Sequence, residues 1–248
     1  MADIFPLSEG EFTVGHDKQF IPFNAISDDL NARSTGSLHI EVQPFLVITD
    51  MDVIVLDTGL GFRDSNGDLQ IHSNIRRLGY EPEHVTKVIH SHLHKDHSGG
   101  MTYKGENGLI KPTFPNAVYY LYRPEVDFAL QTGLPAYYPN EIEQLLSVGK
   151  IEWLDGEEGV IDEYIKYTHT GGHCPQHIVL LIDDGTDKIF YGGDEAPQLK
   201  QMKIKYIAKY DYDGKKAMLI REKYATIGKE EHWKFLFYHD VKSAITEL

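Results

Sequence analysis

The feature that most constrains this 248-residue chain is the run His92-Leu93-His94-Lys95-Asp96-His97, which places four potential metal ligands within six residues. Imidazoles packed this closely would repel one another once protonated, but as neutral ligands beside a carboxylate they can bind a divalent metal. His92 and His94 point to the same side of an extended backbone, because side chains alternate along a strand. Asp96 and His97 follow a bend and can face a second ion, and Ser98-Gly99-Gly100 supplies the turn. We therefore expect a metal centre at the end of a strand.

Three more potential ligands stand at the ends of other predicted strands. His173 follows Thr170-Gly171-Gly172, Asp194 follows Tyr191-Gly192-Gly193, and His239 follows Phe237-Tyr238. Strands that end at the same edge of a sheet bring such side chains onto one rim. The spacing therefore allows these three residues to join the six-residue run.

The seven residues together resemble the ligand set of the metallo-β-lactamase superfamily. Residues 53–59, Val-Ile-Val-Leu-Asp-Thr-Gly, are similar to the family's early buried strand, and residues 78–85 to the lead into its metal motif. The run from Tyr210-Asp211 through Arg221 to His239-Asp240 resembles the lactonase-like and organophosphate-hydrolase-like branch. The resemblance implies one α/β domain over residues 1–248, an αββα sandwich of two mixed sheets covered by helices.

The resemblance also implies a role for each ligand. His92, His94 and His173 would hold the first metal, and Asp96, His97 and His239 the second. Asp194 would bridge the two ions, and Asp96 would also be catalytic. Two divalent ions so held share a hydroxide that attacks a small ester, lactone or phosphotriester. Zinc is the first choice for this nitrogen and oxygen ligand set, with iron, manganese or cobalt as alternatives.

Other residues are expected to support the ligands or to line the substrate pocket. Asp57, Ser91 and His177 would brace the ligands, whereas His90 and Cys174 are expected to be packed side chains. The predicted pocket residues are Tyr137, Tyr138, Phe20 and Phe23, and the segment of Phe20 and Phe23 could instead form a homodimer contact. Many homoserine-lactone hydrolases of the branch have a tyrosine shortly after the bridging aspartate. Glu195-Ala196-Pro197 occupies that place here, and Tyr137 or Tyr138 could serve instead.

Composition limits the class of partner. The formal net charge of −14 disfavours a nucleic-acid enzyme, so we expect a small-molecule substrate. No apolar run approaches the roughly 18 residues that a membrane-spanning helix needs, and no membrane partner is expected. The absence of a secretory signal pattern at Met1–Pro6 and the single cysteine, Cys174, favour a reducing, cytoplasmic location.

Two other functions stay open. A thiol dioxygenase-like oxidoreductase would use a single iron in the same fold, and a non-catalytic sensor would bind metal without turnover. A glutamate in place of His94 would have pointed to the diiron oxygen-reducing relatives, and the histidine disfavours them.

Periodicity predicts the elements that carry these residues. Strands are expected over residues 11–14, 39–49, 53–57 and 87–91 in the first half, and over 164–169, 177–182, 188–191 and 234–238 in the second. Helices are expected over 71–78, 124–130, 141–148 and 215–227, with a closing helix over 241–248.

Overall fold

The computed structural model describes residues 1–105 and 107–248. Its strands, in chain order, are β1 Asp3–Pro6, β2 Gly10–Val14, β3 Phe20–Phe23, β4 Leu38–Val42, β5 Phe45–Ile48, β6 Val53–Leu56, β7 Lys87–Ile89, β8 Thr102–Lys104, β9 Ile110–Pro112, β10 Val118–Tyr122, β11 Lys150–Leu154, β12 Glu158–Ile161, β13 Ile165–His169, β14 Ile178–Asp183, β15 Lys188–Tyr191, β16 Lys234–Leu236 and β17 Ile245–Thr246. Its α-helices are α1 Gln70–Arg77, α2 Lys95–Ser98, α3 Arg123–Thr132, α4 Pro139–Val148, α5 Leu199–Lys203 and α6 Gly214–Glu230.

Two six-stranded sheets form the centre of the molecule. The first has the strand order β1-β5-β6-β7-β10-β11 and the second has the order β12-β13-β14-β15-β16-β17. Both are mixed, because parallel pairs such as β6–β7 and β15–β16 lie beside antiparallel ones. Smaller sheets, β3-β2-β4 and β8-β9, lie at the periphery.

The sheets pack face to face, and helices cover their outer faces. Val47 and Leu56 of the first sheet share a buried cluster with Leu180 and Ile189 of the second. The alternate side chains of the first sheet point away from that cluster and pack with α1, α3 and α4; those of the second pack with α5 and α6. Strands covered on both faces have almost continuous apolar sequences, as in Val53–Leu56. The predicted αββα sandwich is confirmed.

The parallel strand pairs decide where the polar side chains meet. β6 and β7 run in the same direction, so Asp57 and the segment from His90 onward leave the first sheet at one edge. β15 and β16 do the same in the second sheet, where they are followed by Asp194 and His239. Ile178 N donates to Ser91 O at 2.9 Å, which joins the two edges directly.

Two element predictions are wrong. The strand expected over residues 39–49 divides into β4 and β5, which belong to different sheets, and Pro44 has no N–H with which to continue a ladder. The closing helix over 241–248 is absent from the described chain. Asp240 Oδ1 accepts from the backbone N–H groups of Lys242 and Ser243, which turns the chain so that β17 pairs with β16.

No helix in the described part of the chain is both long and apolar enough to cross a bilayer.

Candidate metal centre

The six-residue run begins three residues after the end of β7, at the junction of the two sheets. His92 and Leu93 lie outside regular secondary structure, and α2 begins at Lys95. Two contacts fix the bend between them. Leu93 N donates to the buried Glu125 carboxylate at 2.9 Å, and Ser98 Oγ donates to Leu93 O at 3.0 Å. The bend between β7 and α2 thus aims His94 and Asp96 in different directions. The bend was predicted from the sequence, and the helix that follows it was not.

Three imidazole nitrogens converge on one point. His94 Nδ1 lies 3.0 Å from His92 Nε2 and 3.1 Å from His173 Nε2. A tetrahedral zinc site with bonds of about 2.0–2.1 Å places neighbouring ligand atoms roughly 3.3 Å apart, close to these separations. Asp194 completes this group, since its Oδ2 lies 3.2 Å from His173 Nε2.

A second group lies on the other side of Asp194. Asp194 Oδ1 is 3.0 Å from His239 Nε2 and 3.3 Å from His97 Nε2. Asp96 Oδ2 is 3.4 Å from the same His239 nitrogen. The two oxygens of Asp194 therefore face two different sets of ligands, which is the arrangement that a bridging carboxylate requires.

Unpaired polar atoms provide a test of whether metals fit this site. His97 Nε2 and Asp194 Oδ1 are buried and lie 3.3 Å apart, but neither makes a well-oriented hydrogen bond within the described part of the chain. Buried groups of this kind are costly unless something pairs with them. A divalent cation in each group would satisfy them, so the donor set fits a pair of ions.

The ring nitrogens that face away from the centre are held by other side chains. His97 Nδ1 donates to Asp57 Oδ2 at 2.7 Å. Ser91 Oγ lies 3.1 Å from His92 Nδ1 and donates to Asp57 at 2.7 Å. Asp57 also accepts a hydrogen bond from Tyr191 of the second sheet. One buried carboxylate therefore orients a ligand from each group, which fixes the ring tautomers.

His177 and His239 are positioned through backbone groups. Asp194 N donates to His177 Nε2 at 3.2 Å, so His177 supports the predicted bridging residue and lies outside both groups of potential ligands. His239 Nδ1 donates to Glu41 O at 2.6 Å. The structure thus places Asp57, Ser91 and His177 around the seven predicted ligands.

Sequence reasoning missed the support of His173. Its Nδ1 lies 3.0 Å from Asp211 Oδ1, and Arg221 Nη1 lies 3.8 Å from the other oxygen of Asp211. Glu195 Oε1 accepts from Gly172 N at 2.6 Å and from His173 N at 3.1 Å. Asp211 is 38 residues from His173, so no spacing rule connects them. The sequence signal that could have indicated this support was Arg221. It stands four residues after Ala217, so both side chains lie on the buried face of α6, where an arginine requires an acidic or carbonyl partner.

In the metal-free centre, some of the predicted ligand histidines have a lowered pKa and others have a raised one. Burial and the neighbouring imidazoles lower the pKa of His94 to about 3 and that of His92 well below its usual value. Burial opposes charge at His239 too, but Asp194 and Asp96 outweigh it and raise its pKa to about 9. The same carboxylates raise the pKa of His97. Protons therefore balance the acids when no metal is bound.

The predicted pocket residues lie in different places. Tyr137 is buried with its ring centroid 4.9 Å from that of His94. Tyr138 is 37% exposed, and it and Phe20 both flank the Lys95 ammonium. Phe23 packs against His39 and lines a cavity of about 400 Å³ with Phe12 and Phe62. The structure thus brings three of the four aromatic residues close to the ligand run.

His90 and Cys174 are both buried. His90 Nε2 lies 3.3 Å from Thr58 Oγ1, and the Cys174 thiol is 3.8 Å from both oxygens of Glu125. Burial raises the pKa of the Cys174 thiol well above its usual value, which disfavours the nucleophilic thiolate. Both positions match the packed roles expected for them.

The sequence model of the metallo-β-lactamase superfamily matches residues 41–228. An N-acyl homoserine lactonase from a Bacillus species is 35% identical over 109 residues, which is 44% of this chain and 37% of that relative. The chain therefore aligns with less than half the length of this relative.

Two solved structures share the fold across almost the whole chain. A probable metal-dependent hydrolase from Staphylococcus aureus superimposes with a TM-score of 0.78 at 20% identity, covering 98% of this chain and 91% of that one. The dizinc quorum-quenching lactonase AidC, in complex with a homoserine product, gives a TM-score of 0.73 at 20% identity, covering 98% and 89%.

Proposed function

The chain belongs to the metallo-β-lactamase superfamily, and on that premise we propose that it is a binuclear metal-dependent hydrolase of a small ester or lactone. The observation that carries the proposal is the position of Asp194. One of its oxygens faces His173 at 3.2 Å, and the other faces His239 at 3.0 Å. A structural ion pair would need only one of these partners, whereas a two-ion centre needs both.

The ligand assignment follows from the two groups. His92, His94 and His173 would hold one ion, and Asp96, His97 and His239 the other. Asp194, whose two oxygens face His173 and His239, would bind both. Two divalent ions held by these residues would supply a Lewis acid for the scissile carbonyl and would lower the pKa of a coordinated water from about 15.7 toward about 7. We infer zinc from the mixture of imidazole and carboxylate ligands, with iron and manganese as alternatives.

The protein's own residues would position the reactants and move the proton. Water adds to the carbonyl carbon, the bond to the leaving oxygen breaks, and the proton passes to that oxygen. Asp96, whose carboxylate is 11% exposed, would accept the proton and return it to the leaving alkoxide. Asp57 would keep His97 oriented during these steps.

The substrate class rests on charge and on the relatives. A lactonase is among the curated relatives, and the bound product of AidC is a homoserine derivative. The chain's net charge of −14 supports a small molecule over a nucleic acid. A phosphotriester is the third substrate class in the proposed range, after esters and lactones.

The proposal is tested with metal-stripped protein reloaded with zinc or manganese. Proton release is followed on a panel of lactones, aryl esters and phosphotriesters, with His239→Ala as the inactive control. We expect turnover of at least one class, two ions per chain, and loss of turnover in the control. Two bound ions without hydrolysis of any compound would contradict the proposal, and oxygen uptake with a thiol would support the dioxygenase instead.

A further inference from the structure

Lys95 stands inside the ligand run, between His94 and Asp96, but cannot itself bind a metal as an ammonium. Its backbone N–H donates to Ala136 O at 2.9 Å, which ties the segment before α4 to the metal motif. Its side chain extends between two aromatic rings from separate parts of the chain. Nζ lies 5.6 Å from the ring centroid of Phe20, on β3, and 5.7 Å from that of Tyr138.

This ammonium has no anionic partner in the described part of the chain, where every carboxylate oxygen is more than 4.0 Å from Lys95 Nζ. Asp17 and Asp96 are the acids whose charges reach it most strongly, and Asp96 is committed to the metal centre. Five of the other lysines lie 2.5–3.1 Å from a carboxylate: Lys87, Lys166, Lys188, Lys205 and Lys234.

Aromatic faces stabilise a cation without using its hydrogen bonds. The ring quadrupoles attract the ammonium, while its three N–H groups remain available for an oxygen acceptor. Lys95 and Phe20 are half-buried and Tyr138 is 37% exposed, so the position is accessible from solvent and still partly shielded from it. Partial shielding strengthens a charge–charge contact relative to one at a fully exposed surface.

We propose that Lys95, held between Phe20 and Tyr138, is a specificity-determining residue that binds a carboxylate on the substrate. The inference rests on the proposed hydrolase function and narrows it to esters or lactones that carry an acidic group. The substrate group that contacts Lys95 is a carboxylate and not an apolar acyl chain, because an apolar chain would leave the three N–H donors of the ammonium unpaired.

The test uses the zinc-loaded full chain and two matched pairs of compounds. The lactone pair is 5-oxotetrahydrofuran-2-carboxylate and its neutral carboxamide, and the ester pair is mono-4-nitrophenyl adipate and 4-nitrophenyl hexanoate. We expect kcat/KM to favour the anionic member of the hydrolysed pair by about tenfold, as one partly shielded ion pair would provide. The preference should shrink as KCl rises from about 50 to 500 mM, because salt screens it.

Three variants assign the preference to Lys95. Lys95→Met keeps the stem but removes the charge and should bring the ratio near one, while Lys95→Arg should retain most of it. Lys229→Met, an exposed lysine on α6, is the control and should leave the ratio unchanged. Zinc content of each variant shows that the centre is still loaded.

The outcomes separate the two proposals. Equal rates within a pair, hydrolysis confined to neutral compounds, or a preference that survives Lys95→Met would overturn the inference and leave the hydrolase proposal standing. No turnover of any ester, lactone or phosphotriester by protein with two bound ions would overturn both.

Discussion

His173 Nδ1 and Asp211 Oδ1 lie 3.0 Å apart with both side chains buried. Asp211 can only accept a hydrogen bond as a carboxylate, so His173 carries its proton on Nδ1 and turns Nε2 toward His94 and Asp194. Arg221, also buried, donates to Glu195 O at 3.0 Å and to Tyr206 O at 2.6 Å, which holds its guanidinium beside Asp211. One ligand is thus positioned by a chain of buried charges that begins on α6.

Asp211→Asn should weaken metal binding at the group that contains His173. The amide is a poorer acceptor and carries no charge, and removal of such a partner typically costs ten- to a hundredfold in metal affinity. Competition against a zinc chelator measures the effect. Asp213→Asn is the matched control, because Asp213 caps α6 through Lys216 N and does not contact a ligand. Unchanged affinity in Asp211→Asn would show that this carboxylate does not position His173.

Gly100→Ala should disturb the ligand run through the backbone. A Cβ at Gly100 would lie 2.3 Å from Thr58 O, an atom that cannot move without shifting the loop next to Asp57. We expect a loss of about 1–3 kcal/mol in the free energy of unfolding, as for other overpacked sites. Gly15→Ala, whose nearest neighbour is the Asp17 side chain at 3.2 Å, should change it by less than about 1 kcal/mol. Chemical denaturation of both variants tests the difference, and equal stabilities would contradict it.

Much of this site was predictable because its residues stand at the ends of strands. The spacing of His92, His94, Asp96 and His97 reflects a chain that leaves β7 and bends into α2. The strand and the bend were predicted, whereas the four-residue helix α2 was not. The buried strand Val53–Leu56 predicted where Asp57 would stand. Such local features survive in the fold because tertiary packing reinforces them.

The rest depends on contacts between distant parts of the chain. Asp211 lies in an irregular segment, and only folding brings it to His173. The end of the chain was predicted as a helix, but Asp240 turns it and β16 offers an open edge to pair with. The two rings that flank Lys95 belong to Phe20 on β3 and to Tyr138 just before α4. No periodic pattern in the sequence predicts that these two segments meet.

The metal-free protein should lose stability as the pH rises through about 9. The pKa of His239 is raised to about 9 by Asp194 and Asp96 against the cost of burial, whereas an unfolded histidine titrates near 6.5. Its contribution is therefore fully present below about pH 6.5 and is lost as the pH rises through 9. Denaturation of metal-free protein at pH 7 and 9.5 should show a loss of about 1–3 kcal/mol. A metal-free His239→Ala variant with an equally steep loss would contradict this account.

Zinc binding should release protons. The pKa of His239, raised to about 9, means that a proton occupies its ligand nitrogen at pH 7.5, and a metal must displace that proton. The raised pKa values of His97 and His173 act in the same direction. Calorimetric titration in two buffers of different ionisation enthalpy counts the protons, and His239→Ala should release about one fewer. Equal release by the wild type and this variant would show that His239 is not a ligand.

The most direct test of the central claim is to follow turnover while zinc is added to metal-free protein in measured equivalents, on the lactone or ester that the panel identifies. The account predicts little activity up to one equivalent and a steep rise to a plateau at two, because both groups around Asp194 must be filled. A plateau at one equivalent, or no activity with two ions bound, would contradict a binuclear hydrolase.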